Sequence, residues 1–167
     1  MLSEDAIARI DAAIAKYPPD QKRSAVMAAL TIAQEEHGGH LDTQTMDFVA
    51  RYLDLPPIAV YEVASFYAMY DLQPVGRHKI AICTNLPCAL SGANEAAAHL
   101  KRKLGIDWNG TTQDGGFTLK EGECFGACGD APVLLVNNKR MCSFMQPEKI
   151  DVLLGELRGA GAAEETR

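Results

Sequence analysis

No uninterrupted apolar run in the sequence approaches the roughly 20 residues that a membrane-spanning helix requires. The stretch from Met1 to Ala6 is acidic and lacks both the positive n-region and the apolar h-region of a secretory signal. The expectation is a cytoplasmic protein that is not inserted in the bilayer, where thiols stay reduced. Positive charge is also scarce: 16 Lys+Arg face 22 Asp+Glu, for a net charge of -6. The densest basic group, Lys101, Arg102 and Lys103, reads as a solvated helix face, and a phosphate-tracking groove would need more, so no nucleic-acid partner is expected. There is no Walker sequence, and the one G-x-G, Gly159-Ala-Gly161, lies in the expected tail with no helix after it, so the chain has no nucleotide site of its own. There is no C-x-x-C, which removes the thioredoxin redox disulfide. Internal repeats and low-complexity segments are lacking too.

What is present is ordinary for a folded chain: 47% hydrophobic and 23% charged residues. A chain of this length buries roughly 70% of its unfolded surface, so it needs no metal merely to have a core. A metal found here is therefore expected to be functional.

The periodicity divides the chain in two. Ser3 can cap a helix with Ala6, Ile7, Ile10, Ala13 and Ile14 on one face, stopped by Tyr17-Pro18-Pro19-Asp20. A second helix is expected from about Gln21 to His37, ended by Gly38-Gly39, and a third is capped by Asp42 or Thr43 with Met46, Val49, Ala50 and Leu53 inward. Pro57 suits the first turn of a fourth, with Val60, Val63, Ala64 and Tyr67 along one side. Near Gln73-Pro74-Val75-Gly76 the period changes, since His78–Cys83 reads as a strand. A helix from about Ser91 to Leu104, a strand at Phe117–Glu121, and Val133–Val136 and Arg140–Phe144 flanking Asn137-Asn138-Lys139 as a hairpin follow. A last helix is expected over Pro147–Leu157. The fold class is α+β: an N-terminal helical bundle (1–72), a thioredoxin-like α/β domain (73–158) and a flexible tail (159–167).

Of five cysteines, four form two local pairs, Cys83-x4-Cys88 and Cys124-x3-Cys128, each just after an expected strand. A 2Fe-2S cluster has two irons that each need two thiolates, so two separated pairs suit it. The small residues Gly122, Gly126, Ala127 and Gly129 let backbone N–H groups approach sulfur. Structural zinc on four cysteines, in a non-redox interaction module, is the rival reading, although zinc knuckles usually belong to small domains without a core of their own. Cys142 stands apart and reads as a small buried hydrophobe. His37 and His40 read as a polar helix end, and His78 and His99 as structural or exposed. Tyr61, Phe66, Tyr67 and Tyr70 form an aromatic group, either core or part of a partner interface.

Tyr61-Glu-Val-Ala-Ser-Phe-Tyr67, Pro74-Val-Gly76, Cys83-x4-Cys88 and Cys124-Phe-Gly-Ala-Cys128-Gly-Asp-Ala-Pro132 together resemble the thioredoxin-like 2Fe-2S subunits of respiratory NADH:quinone oxidoreductase. The resemblance implies that Cys83 and Cys88 bind one iron of a 2Fe-2S cluster and Cys124 and Cys128 the other. It implies a flavoprotein partner that binds FMN and NADH, within a larger complex peripheral to the inner membrane. The implied role is one-electron exchange with that flavin, with no acid, base or nucleophile on this chain. NAD-dependent formate dehydrogenases and NAD-reducing hydrogenases contain similar subunits and stand as the alternative parents.

Overall fold

The computed structural model describes residues 2–164. It forms two compact units, Met1–Pro74 and Val75–Arg167, each with its own core. The first is helical and the second contains a four-stranded mixed sheet, so the architecture is α+β with helices preceding the sheet.

In the helical unit, α1 (Glu4–Ile14) starts at Ser3, whose hydroxyl accepts from the Ala6 N–H at 3.2 Å, and it buries Ala6, Ile10 and Ala13. Helix α2 covers only Val26–Glu36. The expected turns before it form a 3-10 helix, Pro19–Ala25, with Gln21 outside helical geometry at φ -116°, ψ 30°. The physical reason is that Gln21, Arg23 and Ser24 are exposed and supply no apolar stripe to hold a regular turn. Helix α3 (Thr43–Tyr52) is capped by Asp42, whose carboxylate accepts from the Thr45 N–H at 2.7 Å, and α4 (Pro57–Phe66) opens with proline at its first position. Leu30, Val49, Leu53 and Val60 meet in the core. Tyr67 departs from expectation: the chain leaves the helix there at ψ 123°, and the residue is 41% exposed. The aromatic group therefore splits. Tyr70 is buried with its hydroxyl donating to the Met27 carbonyl, while Phe66 and Tyr67 pack edge to face at the surface. Buried Gln34 pins the exit from α4, its amide donating to the Met69 carbonyl and accepting from the Asp71 N–H.

The cap of α3 carries a pH prediction. The Thr45 hydrogen bond holds the Asp42 carboxyl below its ordinary 3.8. A depressed folded pKa stabilises above the unfolded value and is lost as pH falls through the folded one. Melting curves between about pH 6 and about pH 2 should show part of the acid destabilisation vanish in Asp42→Asn, which keeps the capping oxygen but cannot titrate.

The second unit places β2 (Phe117–Gly122) and β1 (His78–Cys83) as parallel neighbours, followed by β3 (Leu134–Val136) and β4 (Arg140–Cys142) in antiparallel pairing, in the order β2-β1-β3-β4. The crossover from β1 to β2 contains two helices, α5 (Leu86–Leu90) and α6 (Ala93–Leu104), where one was expected from Ser91. Asn85 caps α5, and Gly92 at φ +94° breaks the chain between them, a conformation that glycine reaches without strain. Asn137 and Asn138, at φ +51° and +57°, are the central residues of the turn closed by the Lys139 N–H on the Val136 carbonyl, within the three-residue loop Asn137-Asn138-Lys139 of the hairpin. Helices α6 and α7 (Pro147–Glu164) send Leu100, Ile150 and Leu154 onto the sheet face formed by Ile80, Ile82, Leu119 and Leu134. Helix α7 runs past Leu157 and takes in Gly159-Ala-Gly161; residues 165–167 of the expected tail lie outside the described residues. Two members of the basic triplet on α6 are tied down, Lys101 to Asp107 and over the Trp108 ring, and Lys103 to Asp151.

Candidate metal centre

The register of the parallel pair positions the cysteines. Cys83, the last residue of β1, stands level with Gly122, the last residue of β2, so the loops after both strands leave the sheet at one edge. Thr84 closes that edge by donating to the Glu121 carboxylate at 2.8 Å. Cys88 follows inside α5, and both it and Cys83 are 1% exposed, in a small apolar group with Ala93 and Val133. Cys124 lies two residues beyond β2 and Cys128 opens a 3-10 turn, Cys128–Asp130. Both are exposed, and their sulfurs are 3.8 Å apart.

The Cys83 thiol reaches the backbone beside Cys124, at the Glu123 carbonyl, and the thiols of the two pairs perturb one another accordingly. The Cys83 thiol is pushed up to about 11, first by burial and further by Cys88 and by Cys124, against a lowering hydrogen bond from the Asn85 backbone. Cys128 is raised first by its contact with Cys124 and also by Cys88. Each pair thus feels a member of the other. Cys83 donates to the Glu123 carbonyl at 2.6 Å, and the Gly126 N–H donates to the Cys124 sulfur at 3.4 Å. Four thiols in pairs, with a backbone donor aimed at one of them, are a donor set that fits a two-iron centre. Among the described residues no group of three or more His, Cys, Asp or Glu stands close enough together to hold a metal ion as placed.

Of the small residues noted in the sequence, Gly126, at φ +75°, supplies the sulfur-directed N–H. Gly122 has another use: a Cβ there would stand 2.3 Å from Cζ of Phe125, so its bareness seats an aromatic ring. Sequence reasoning passed over Phe125; the signal was an aromatic residue three positions after a strand-ending glycine. Cys142, on β4 opposite Leu134, is half-buried against the sheet core, and burial raises its thiol. His37 approaches Asp42 at 3.3 Å and lies tilted against the His40 ring, a polar helix end as expected, and His99 pairs with Asp151 at 2.8 Å. A cleft of about 280 Å³ in the helical unit, lined by His37, Asp42, Phe48 and Arg51 among others, includes no cysteine. No helix among the described residues is long and apolar enough to cross a membrane.

Comparison with known proteins adds to this geometry. The family model for the Thioredoxin-like [2Fe-2S] ferredoxin matches residues 10–158. The E subunit of the NADH-quinone oxidoreductase of Rickettsia bellii (strain RML369-C) is 42% identical over 145 residues, 87% of this chain and 86% of that protein. The E subunit of the Rickettsia typhi enzyme is 45% identical over 125 residues, covering 75% and 74%. The E subunit numbered 2 of the Rhizobium meliloti enzyme is 42% identical over 151 residues, covering 90% and 88%. Among solved structures, an air-oxidised NAD+-reducing NiFe hydrogenase matches with a TM-score of 0.69 at 23% identity, over 86% of this chain and 24% of the hydrogenase chain, a likeness of fold.

Proposed function

The chain belongs to the thioredoxin-like 2Fe-2S ferredoxin family, and from that premise we propose that it is the iron-sulfur electron-transfer subunit of an NADH-quinone oxidoreductase. It holds one 2Fe-2S cluster, with Cys83 and Cys88 on one iron and Cys124 and Cys128 on the other. The observation that supports this reading is that two thiol pairs, one buried and one exposed, follow the level ends of two neighbouring parallel strands.

When bound, such a cluster supplies one-electron exchange, which a flavin reduced by hydride transfer can feed one electron at a time. The chain's own residues then divide the work. Cys83 and Cys88, under Ala93 and Val133, keep water from the inner side of the site. Cys124 and Cys128 present the outer side to a partner, and the Gly126 N–H steadies charge on the Cys124 sulfur. No residue is needed as acid, base or nucleophile. The partner in this reading is the flavoprotein that binds FMN and NADH, and the complex is peripheral to the membrane. The three E subunits named above, at 42–45% identity, support this parent enzyme over a formate dehydrogenase or a hydrogenase.

The test is native, anaerobic purification. The chain should contain about two irons, appear reddish-brown, and give a rhombic paramagnetic signal on reduction. It should co-purify with an FMN-containing polypeptide. Stoichiometric zinc without iron would favour the zinc-stapled module and end the redox reading.

A further inference from the structure

The loop that holds the exposed pair has little to anchor it. Of Glu123, Cys124, Phe125 and Gly126, only Phe125 is not exposed. Its ring packs against the group formed by Cys83, Cys88, Ala93 and Val133, the buried side of the site. The tip of the same ring rests on Gly122, where a Cβ would lie 2.3 Å from Cζ, 3.0 Å from Cε1 and 3.1 Å from Cε2. Gly122 in turn is level with Cys83 across the parallel pair. A single side chain from the outer loop therefore touches both the strand end that faces Cys83 and the apolar cover of the inner thiols.

We infer that Phe125 is the positioning residue that sets the outer cysteine pair over the inner one, with Gly122 as the seat for the tip of its ring. The inference rests on the reading that the four thiols hold a 2Fe-2S cluster. Two irons bridged at a fixed separation require the two pairs at a fixed separation, and side chains that orient metal ligands from behind are worth much of a site's affinity. Without the ring, the outer loop keeps only the small apolar hold of Ala127 on that group, and water reaches the inner pair.

The seat makes an unusual demand on substitutions. Phe125→Leu keeps an apolar group over Cys83 and Cys88 and is short enough to clear Gly122. Phe125→Tyr adds its hydroxyl at Cζ, the atom already against Gly122, and must lift the ring. Gly122→Ala fills the seat from the other side. A residue that merely added hydrophobic bulk would accept tyrosine more readily than alanine.

The experiment uses the purified full-length chain and these variants, each checked for a cooperative melt. It compares iron content, paramagnetic g-values, midpoint potential and the rate of bleaching under excess iron chelator. Phe125→Ala, Phe125→Tyr and Gly122→Ala should each bleach about 10–100-fold faster than wild type, with shifted g-values and potential. Phe125→Leu should restore the wild-type rate and signal, and Gly122→Ala with Phe125→Ala should bleach no faster than Phe125→Ala alone, since both act on one contact. An iron-loaded wild type whose Phe125→Ala variant bleaches no faster, with an unchanged signal, overturns this inference alone. So does a Phe125→Tyr variant that behaves as wild type. A wild-type chain that carries no iron overturns the functional reading and this inference with it.

Discussion

Substituting alanine for Cys83, Cys88, Cys124 or Cys128 is expected to strip the chain of its iron, while Cys142→Ala keeps it. A two-iron centre with four thiolates has no spare ligand, so each loss exceeds the ~10–100-fold cost of disturbing a ligand's support alone. Burial makes the four variants differ in a second measurement. Cys83 and Cys88 are 1% exposed and help close a small apolar group, so their alanine variants also lose packing, by about 1 kcal/mol or more in a melt. Cys124 and Cys128 are exposed, so their variants should lose the iron and little else. Cys142 lies half-buried on β4 against the sheet core, so removing it costs only its contacts there. Iron per chain and the reduced paramagnetic spectrum decide the matter. Retention of two irons by any of the four, or bleaching by Cys142→Ala, would refute the ligand assignment.

These contrasts were partly legible before any coordinates. The pairs were visible because each follows a strand signal, His78–Cys83 and Phe117–Glu121, and strand ends lie on sheet edges. Ser3, Asp42 and Pro57 announced three helix starts because capping chemistry is local and needs no tertiary partner. Asn137-Asn138 announced the hairpin for the same reason. What remained hidden depended on contacts distant in sequence. The residues from Gln21 to Ser24 look helical until one asks which face they could bury, and none of the four is buried. Ser91-Gly92 looked like the start of a helix, whereas the chain needs a separate turn, α5, to carry Cys88 into the interior before α6 begins. That Cys83 would stand opposite Gly122 followed from a strand order, β2 beside β1, that periodicity does not reveal. The fit of Phe125 onto Gly122 follows from that register in turn, which is why glycines first read as backbone donors to sulfur prove to have different tasks.

Gly76→Ala is expected to be the most damaging single-methyl change outside the cysteines. Gly76 was legible as part of Pro74-Val-Gly76, yet the reason for it is geometric: a Cβ at this position would stand 2.8 Å from the Gly115 carbonyl oxygen and 2.9 Å from both the carbonyl carbon and the nitrogen of Phe117. All three are backbone atoms, so no side chain can swing aside to make room. The neighbours that must move carry the pairing of the sheet, since Arg77 and His78 donate to the Gly115 and Gly116 carbonyls at 2.9 Å each, and Gly76 itself donates to the Thr118 hydroxyl at 2.7 Å. Shifting this segment disturbs the β1–β2 register from its first pair, His78 with Phe117, towards its last, Cys83 with Gly122. Overpacking of this kind costs about 3 kcal/mol, which for a chain of this size lowers Tm by roughly 10 °C. Because the register also sets the height of Cys83 against the outer loop, the melt should fall together with iron retention. In Ser24→Ala, on the exposed face of the 3-10 turn of the helical unit, both should stay unchanged. If Gly76→Ala melted within about 2 °C of wild type, the close approach of these backbones would be wrong.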